Sequence, residues 1–509
     1  MATTERDVDN TTRMSEHEAL MWNIEKDPWL NPNGATVTIL DRPVDVDRLR
    51  AFLANGVTKI PRLHQRVVPG LGGLTPPTWA PDPEFDLEHH IEQIELPAPG
   101  SMRQLLDLAA RLYQQPMDRT RPLWRFVAIT GLEGGKGAIY LLTHHVIADG
   151  IGQLRMAELY QQLTRDEEPP PLVDLDAFMT DRLAEHEASG GRAEITSGLL
   201  GAGIDAAGHV LGRQLRVGRR VLGEAMMWPA DPGRLAERAS EVATTVRTTV
   251  DLMTPPSGNG SGGSPLWRTR SRHRHLEHVQ VPLDDLKTAA KTLGGSVNDG
   301  FMAGVIEGAH RYHADRDTPV QAFNTSFVVS TRTDNKVGGN SFTPVPISVS
   351  GAAADFRTRI AELQRTETEA RSAAERSGGI DGLSGLINLL PTSVVTKAAR
   401  RQAQAIDFAT SNLRGAPFPI YCAGAEVETT VCMGPLAGTA INATAMSYNG
   451  AFDIGLFIDP TAVEDPGGFR DHVQAAFDDL VAAGRPKPAP KRSTGTKKKA
   501  AKKTRKKST

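Results

Sequence analysis

Apolar positions in this chain follow two rhythms, one helical and one extended, which succeed each other along most of its length. In SMRQLLDLAARLYQQPMD, residues 101–118, Leu105, Leu108, Ala109 and Leu112 share one helical face. Ser101 is placed to cap that helix and Pro116 to end it, since serine accepts from first-turn amides and proline lacks a donor. VTIL, residues 37–40, reads as a short strand. FVAIT and AIYLLTH are two β-rich runs separated by GLEGGKG, whose glycines predict a hairpin. The second run is almost continuously apolar, so it should be buried on both faces. After Gly152, Met156, Leu159, Tyr160 and Leu163 keep helical spacing and predict a helix through QLRMAELYQQLTRD. Further on, SVNDGFMAGVIEGAHRYH predicts a helix opened by a capping box of Ser296 and Asp299.

These elements divide the chain. Residues 1–13 read as a disordered lead, 14–165 as a first mixed domain and 166–265 as an intervening segment ending in the flexible PPSGNGSGGSP. Residues 266–484 read as a second mixed domain, and 485–509 as a disordered lysine-rich tail. At 509 residues the chain is too long for one small core. The net charge of −2 hides a split: the tail holds 12 Lys or Arg and no acid, leaving 46 basic against 60 acidic residues elsewhere. An acidic body is unsuited to gripping nucleic acid, so only the tail offers phosphates a partner. The start is polar, without a secretory core segment, and no run reads as a spanning helix. Cys422 and Cys432 read as buried thiols. A cytoplasmic protein is expected.

The chemistry concentrates in IYLLTHHVIADGIG. A buried strand delivers His144 and His145 to its end, and a short turn then reaches Asp149, Gly150 and a helix. Neighbouring side chains on extended backbone point to opposite sides, so one histidine can face a cleft while the other packs behind it. Histidine is the natural base for a hydroxyl acceptor because its ordinary pKa lies near working pH. Gly150 can take a positive φ in the turn, and Asp149 can serve as a helix cap.

HHVIADG resembles the HHxxxDG motif of the CoA-dependent acyltransferase superfamily. More blocks resemble the bacterial wax ester synthase/diacylglycerol acyltransferase family: the Met14-Ser15 start, DRTRPLWRFVAITGLEGG with Pro122, Leu123 and Trp124, and VNDG with Asn298 and Asp299. STRTDNKVGGN, with Arg332, Gly339 and Asn340, and the closing SNLRGAPFPIYCAGAEV and MSYNGAFDIGLFID continue the likeness to about Gly484. Gly300 departs from it, standing where a branched residue is expected, and the lysine tail is an addition.

The resemblance implies an α/β fold of mixed sheets, with two chloramphenicol-acetyltransferase-like domains and the active site at their interface. It implies transfer of a long-chain acyl group from acyl-CoA to diacylglycerol or a fatty alcohol. His145 would be the general base, His144 its support, and Asp149 a structural residue pairing with Arg332. Asn298 would position the acyl group or cap its helix, and Asp299 would be structural. Acyl-CoA would be a substrate, with no cofactor and no metal. A condensation-type enzyme fed by a carrier-protein thioester shares HHxxxDG, and a non-catalytic lipid-binding or droplet-coating protein could keep the fold; both fit the remaining blocks less well.

Two further signals bear on partners. His273, His275 and His278 lie near Glu277, but no third ligand follows at metal spacing, so a polar strand is expected. In residues 199–228 an apolar stripe runs beside Arg213, Arg216, Arg219 and Arg220, which suits either a packed helix or one lying on a lipid surface. With the tail, this leaves an anionic membrane or lipid-droplet surface as a candidate contact.

Overall fold

A computed structural model describes residues 12–70, 76–189, 263–330, 342–376 and 392–485. The first half supplies strands β1 (Asn33–Leu40), β2 (Gln65–Val68), β3 (Thr78–Pro81), β4 (Ile91–Glu95), β5 (Trp124–Thr130), β6 (Gly137–His144) and β7 (Gln161–Gln162). Its helices are α1 (Glu16–Ile24), α2 (Val46–Lys59), α3 (Met102–Gln114), α4 (Gly150–Ala157) and α5 (Leu175–Ala188). The second half supplies β8 (His275–Pro282), β9 (Ala322–Ser330), β10 (Phe342–Ser350) and β11 (Phe408–Arg414). It continues with β12 (Tyr421–Cys422), β13 (Ala425–Met433), β14 (Ile441–Tyr448) and β15 (Ala451–Ile458). Between and after these run α6 (Leu283–Leu293), α7 (Val297–Ala314), α8 (Phe356–Arg376), α9 (Thr392–Gln404) and α10 (Pro466–Gly484).

Seven strands form one sheet in the order β4-β5-β6-β1-β13-β12-β7, and six form another in the order β10-β9-β11-β14-β15-β8. The mixed α/β expectation holds. The first sheet is not contiguous in sequence, for β12 and β13 come from the second half and β13 pairs antiparallel with β1, Val37 opposite Val431. The sheets meet where Gly455 faces the Cys432 carbonyl; a Cβ at 455 would collide with it. Val37, Val431, Met433, Leu276 and Phe457 share one buried cluster there. Arg103 on α3 ties the halves further, bonding Glu277 at 2.7 Å and the Leu276 carbonyl at 2.8 Å.

The apolar rhythms predict the right elements in most places. Ser101 caps α3 in a capping box with Gln104, and Ser296 caps α7 with Asp299. The hairpin joins β5 to β6, and β6 is buried at seven of its eight positions. Gly300 is small because α7 lies close on α6: a Cβ there would sit 3.1 Å from that of Ala290. Both cysteines are buried free thiols.

The helix expected to run from Gln153 past Leu163 is shorter than its periodicity suggests. It stops at Ala157, because Tyr160 turns edge-on to Phe126 at 5.1 Å and Gln162 pairs with Tyr421. The Gln162 side chain also accepts from the Ala423 amide at 2.8 Å. Ladder bonds and ring packing outweigh helical propensity there, and Leu163 is left exposed.

Among the described residues no helix is long and apolar enough to cross a membrane. The striped stretch 199–228, Arg332, Gly339, Asn340 and the lysines beyond Arg485 lie outside the described residues.

Candidate active site

The two histidines end β6 and face different surroundings. His144 is fully buried. The Val146 amide donates to its Nδ1 at 3.1 Å, so the ring carries its proton on Nε2 and donates it to Glu25 at 3.0 Å. Arg119 bonds the same Glu25 oxygen at 2.8 Å, donates to the Trp22 carbonyl at 3.1 Å and lies 3.5 Å above the Trp22 ring. Burial acts to raise the Glu25 pKa, but the His144 bond and the Arg119 charge outweigh it and hold the carboxyl below its ordinary value. His144 is thereby locked in tautomer and orientation.

His145 is half-buried and turns towards β1 and α4. Its Nε2 stands 3.4 Å from where a Cβ on Gly34 would lie, and the Gln153 amide nitrogen stands 3.6 Å from the same point. Burial lowers its pKa to about 4; His144 and His17 add to the effect and Asp149 opposes it. The ring is therefore neutral at pH 7. Helix α1 follows the Met14-Ser15 start, where Ser15 caps it in a capping box with Glu18. The opening block thus matters because it seats the helix that carries His17 and leads to Glu25.

Asp149 is buried and caps α4, accepting from the Gly152 amide at 2.8 Å. The Arg332 expected as its partner lies outside the described residues. Replacing Asp149 with alanine should cost about 1 kcal/mol of stability, as lost caps do, and should lower activity by loosening the turn that holds His145. Thermal unfolding of the two proteins checks this; equal melting temperatures would remove the capping role.

Gly150 does not use the positive φ foreseen for it. Glycine is needed because Leu413, on β11, comes so close that a Cβ would lie 2.8 Å from its Cδ2. The second half therefore reaches the motif directly.

Other expected positions support the strand. The Leu123 carbonyl accepts from the His144 amide at 3.0 Å, and the Pro122 carbonyl from the Trp124 amide at 3.1 Å. Trp124 donates its indole N–H to the Leu63 carbonyl at 2.8 Å and stacks on His90 at 4.1 Å. Asn298 touches Met302 through its amide at 3.9 Å, while Asp299 closes the capping box and accepts from Gln364 at 3.2 Å.

The polar strand expected around residues 273–278 is β8. His275 bonds Glu277 at 2.6 Å and His278 bonds Asp453 at 2.9 Å, on opposite faces. No metal-binding cluster forms among the described residues.

Beside the site lies a narrow apolar pocket open to solvent, with about 440 Å³ of atom-free space counting the solvent at its mouth. Phe52 and Leu53 of α2, Trp124 and Phe126 of β5, Leu141 of β6 and Met156 of α4 line it, and Gln153 lies in its wall. Glu25, Arg119, Gly34 and Gln153 escape a reading of the sequence. Arg119 does fall inside the block containing Pro122-Leu123-Trp124, whereas Glu25 sits in an unremarkable polar stretch.

A histidine at the end of a buried strand, beside an apolar pocket in a chain with two large mixed sheets, is what an enzyme of acyl transfer needs. The wax ester synthase/diacylglycerol acyltransferase catalytic domain matches residues 14–301, and the C-terminal domain of the same family matches residues 338–481. The chain belongs to the wax ester synthase/diacylglycerol acyltransferase family. A Mycobacterium tuberculosis H37Rv protein named as a diacylglycerol O-acyltransferase is 28% identical over 472 residues, 92% of each chain. A second from that strain, similarly named, is 27% identical over 486 residues, covering 89% of this chain and 94% of its own. Among solved structures, the wax ester synthase/diacylglycerol acyltransferase of Marinobacter aquaeolei VT8 aligns with a TM-score of 0.59 at 19% identity, over 93% of this chain and all of that one. The condensation domain of the Monacolin K polyketide synthase aligns with a TM-score of 0.54 at 11% identity, over 94% and 98%. The chain is thus an acyltransferase of this family, and the structural likenesses establish its fold.

Proposed function

We propose that this acyltransferase moves a long-chain acyl group from acyl-CoA to the hydroxyl of diacylglycerol or of a long-chain alcohol, with His145 as general base. The observation that carries the reading is His145 Nε2, held neutral beside an apolar pocket with which it shares Gln153 as neighbour. Nε2 takes the acceptor proton as the oxygen attacks the thioester carbonyl. The imidazolium then returns that proton to the departing thiol of CoA. No cofactor or metal enters this chemistry. The pocket suits the acyl chain, since burying methylenes in such a lining gives about 0.8 kcal/mol each. The two family matches favour this reading over a carrier-protein or a non-catalytic one. Contact of the lysine-rich tail with an anionic membrane or lipid-droplet surface is part of the proposal, through about 1 kcal/mol per basic residue near such a surface.

The test is to offer labelled hexadecanoyl-CoA with dioleoylglycerol or with hexadecanol and to identify the neutral lipid formed. Label in triacylglycerol or wax ester is the expected result. Release of free fatty acid alone, with neither acceptor used, would overturn the assignment.

A further inference from the structure

Gly56 lies inside α2, where glycine weakens a helix relative to alanine. Its backbone does not call for one, since its φ is outside the left-handed region and its carbonyl accepts from the Ile60 amide at 3.0 Å. Packing does not forbid a side chain either. Outside its own helix a Cβ would meet Leu159 at 3.7 and 3.8 Å, both ordinary contacts. What the bare helix face does is line the apolar pocket. Gln153 and Thr143 mark the end of that pocket nearest His145: Gln153 neighbours the His145 ring beside Gly34, and Thr143 is the ladder partner of Gly34. Leu141 and Phe126, opposite each other on β6 and β5, continue the wall. Leu159, against which Gly56 lies, comes roughly 9 Å beyond Gln153 along α4 and the turn after it.

We infer that Gly56 sets the length of acyl chain this enzyme takes, by keeping open the part of the pocket farthest from His145. This rests on the acyltransferase reading above, which gives the pocket to the acyl chain. With the thioester carbonyl at His145, the first methylenes lie past Gln153 and Thr143, and the chain runs between Leu141, Phe126 and Met156 towards α2. A short chain stops before the helix. A long one must pass over Gly56, where a side chain would take its place. Each methylene kept out of the pocket forfeits about fourfold in binding. Helix stability and long-chain binding therefore pull on this position in opposite directions.

The experiment uses the full chain with hexanoyl-CoA and hexadecanoyl-CoA as donors and hexadecanol as acceptor. Gly56→Ala should melt at or above the wild-type temperature, while its kcat/KM ratio of hexadecanoyl-CoA to hexanoyl-CoA falls about fourfold. Gly56→Leu should lower that ratio about 100-fold, since its side chain displaces several methylenes. The ratio of hexadecanol to hexanol as acceptors, with hexanoyl-CoA as donor, should stay at the wild-type value in both. Equilibrium dialysis of the two labelled acyl-CoAs without acceptor reads the pocket apart from turnover, and should show the same falls in relative affinity. If the wild type transfers nothing, the acyltransferase reading fails, and the dialysis still decides whether position 56 sets the chain bound. If Gly56→Leu does not fold, Gly56→Ala carries the test alone. Wild-type ratios in the folded variants, by rate and by dialysis, or a shift confined to the alcohols, would each overturn the inference.

Discussion

His145→Ala should lose about 10²–10⁴-fold in acyl transfer, the contribution of a positioned base, while keeping its fold. The side chain is half-buried at a strand end, and its removal strands no ion pair of the Glu25–His144–Arg119 set. His144→Ala should be milder in rate, because that ring orients the turn and does not face Gly34. Per folded molecule, activity of wild type should fall on acidification only near pH 4, where burial has moved the His145 pKa, and not near the ordinary histidine value. Initial rates across pH, with circular dichroism to match folding, measure both effects. A His145→Ala protein with most of the wild-type rate would remove the residue from the chemistry.

Acid should unfold this protein well before its carboxylates are all protonated. His64, His90 and His313 are buried, and burial pushes each pKa down to about 4. His90 lies between Phe85 and Trp124, and His313 accepts from Ser264 while bonding the Ala309 carbonyl. Unfolded, these rings take a proton near pH 6.5; folded, only near 4. Between those values the unfolded state binds more protons, so stability falls as pH drops. Each ring contributes about 3 kcal/mol across that window. Asp407 works the other way: burial raises its pKa to about 6, and it offsets roughly one histidine. With His145, whose pKa burial also lowers to about 4, four rings less Asp407 give an expected net loss of about 9 kcal/mol between pH 7 and 4, as a fall in the urea midpoint. A flat or rising midpoint over that range would contradict it.

The motif, the Ser101 cap, the Ser296–Asp299 capping box and the hairpin were legible because each is a local pattern with a local cause. Ser296 and Asp299 are three residues apart, and the bond between them needs nothing distant. Glu25 was not legible: it acquires meaning only when α1 folds against the end of β6, 119 residues away in sequence. Gly150 misled for a similar reason, since its constraint comes from Leu413 and not from its own turn. The end of α4 was missed because a helical period continues into residues that a strand from the far half claims.

That borrowed strand pair has a consequence for how the protein is made. When β1 leaves the ribosome, its partner on one side, β13, has not been synthesised. At ordinary rates of elongation about 20–80 s pass before residues 425–433 emerge. Throughout that interval the β1 backbone along that edge has no ladder partner, and its flank is Val37 and Ile39, both buried in the finished molecule. Open apolar edges pair with other chains. Maturation is therefore a race between translation and aggregation, and the two halves are not exchangeable modules: a shuffled or split gene would sever a sheet.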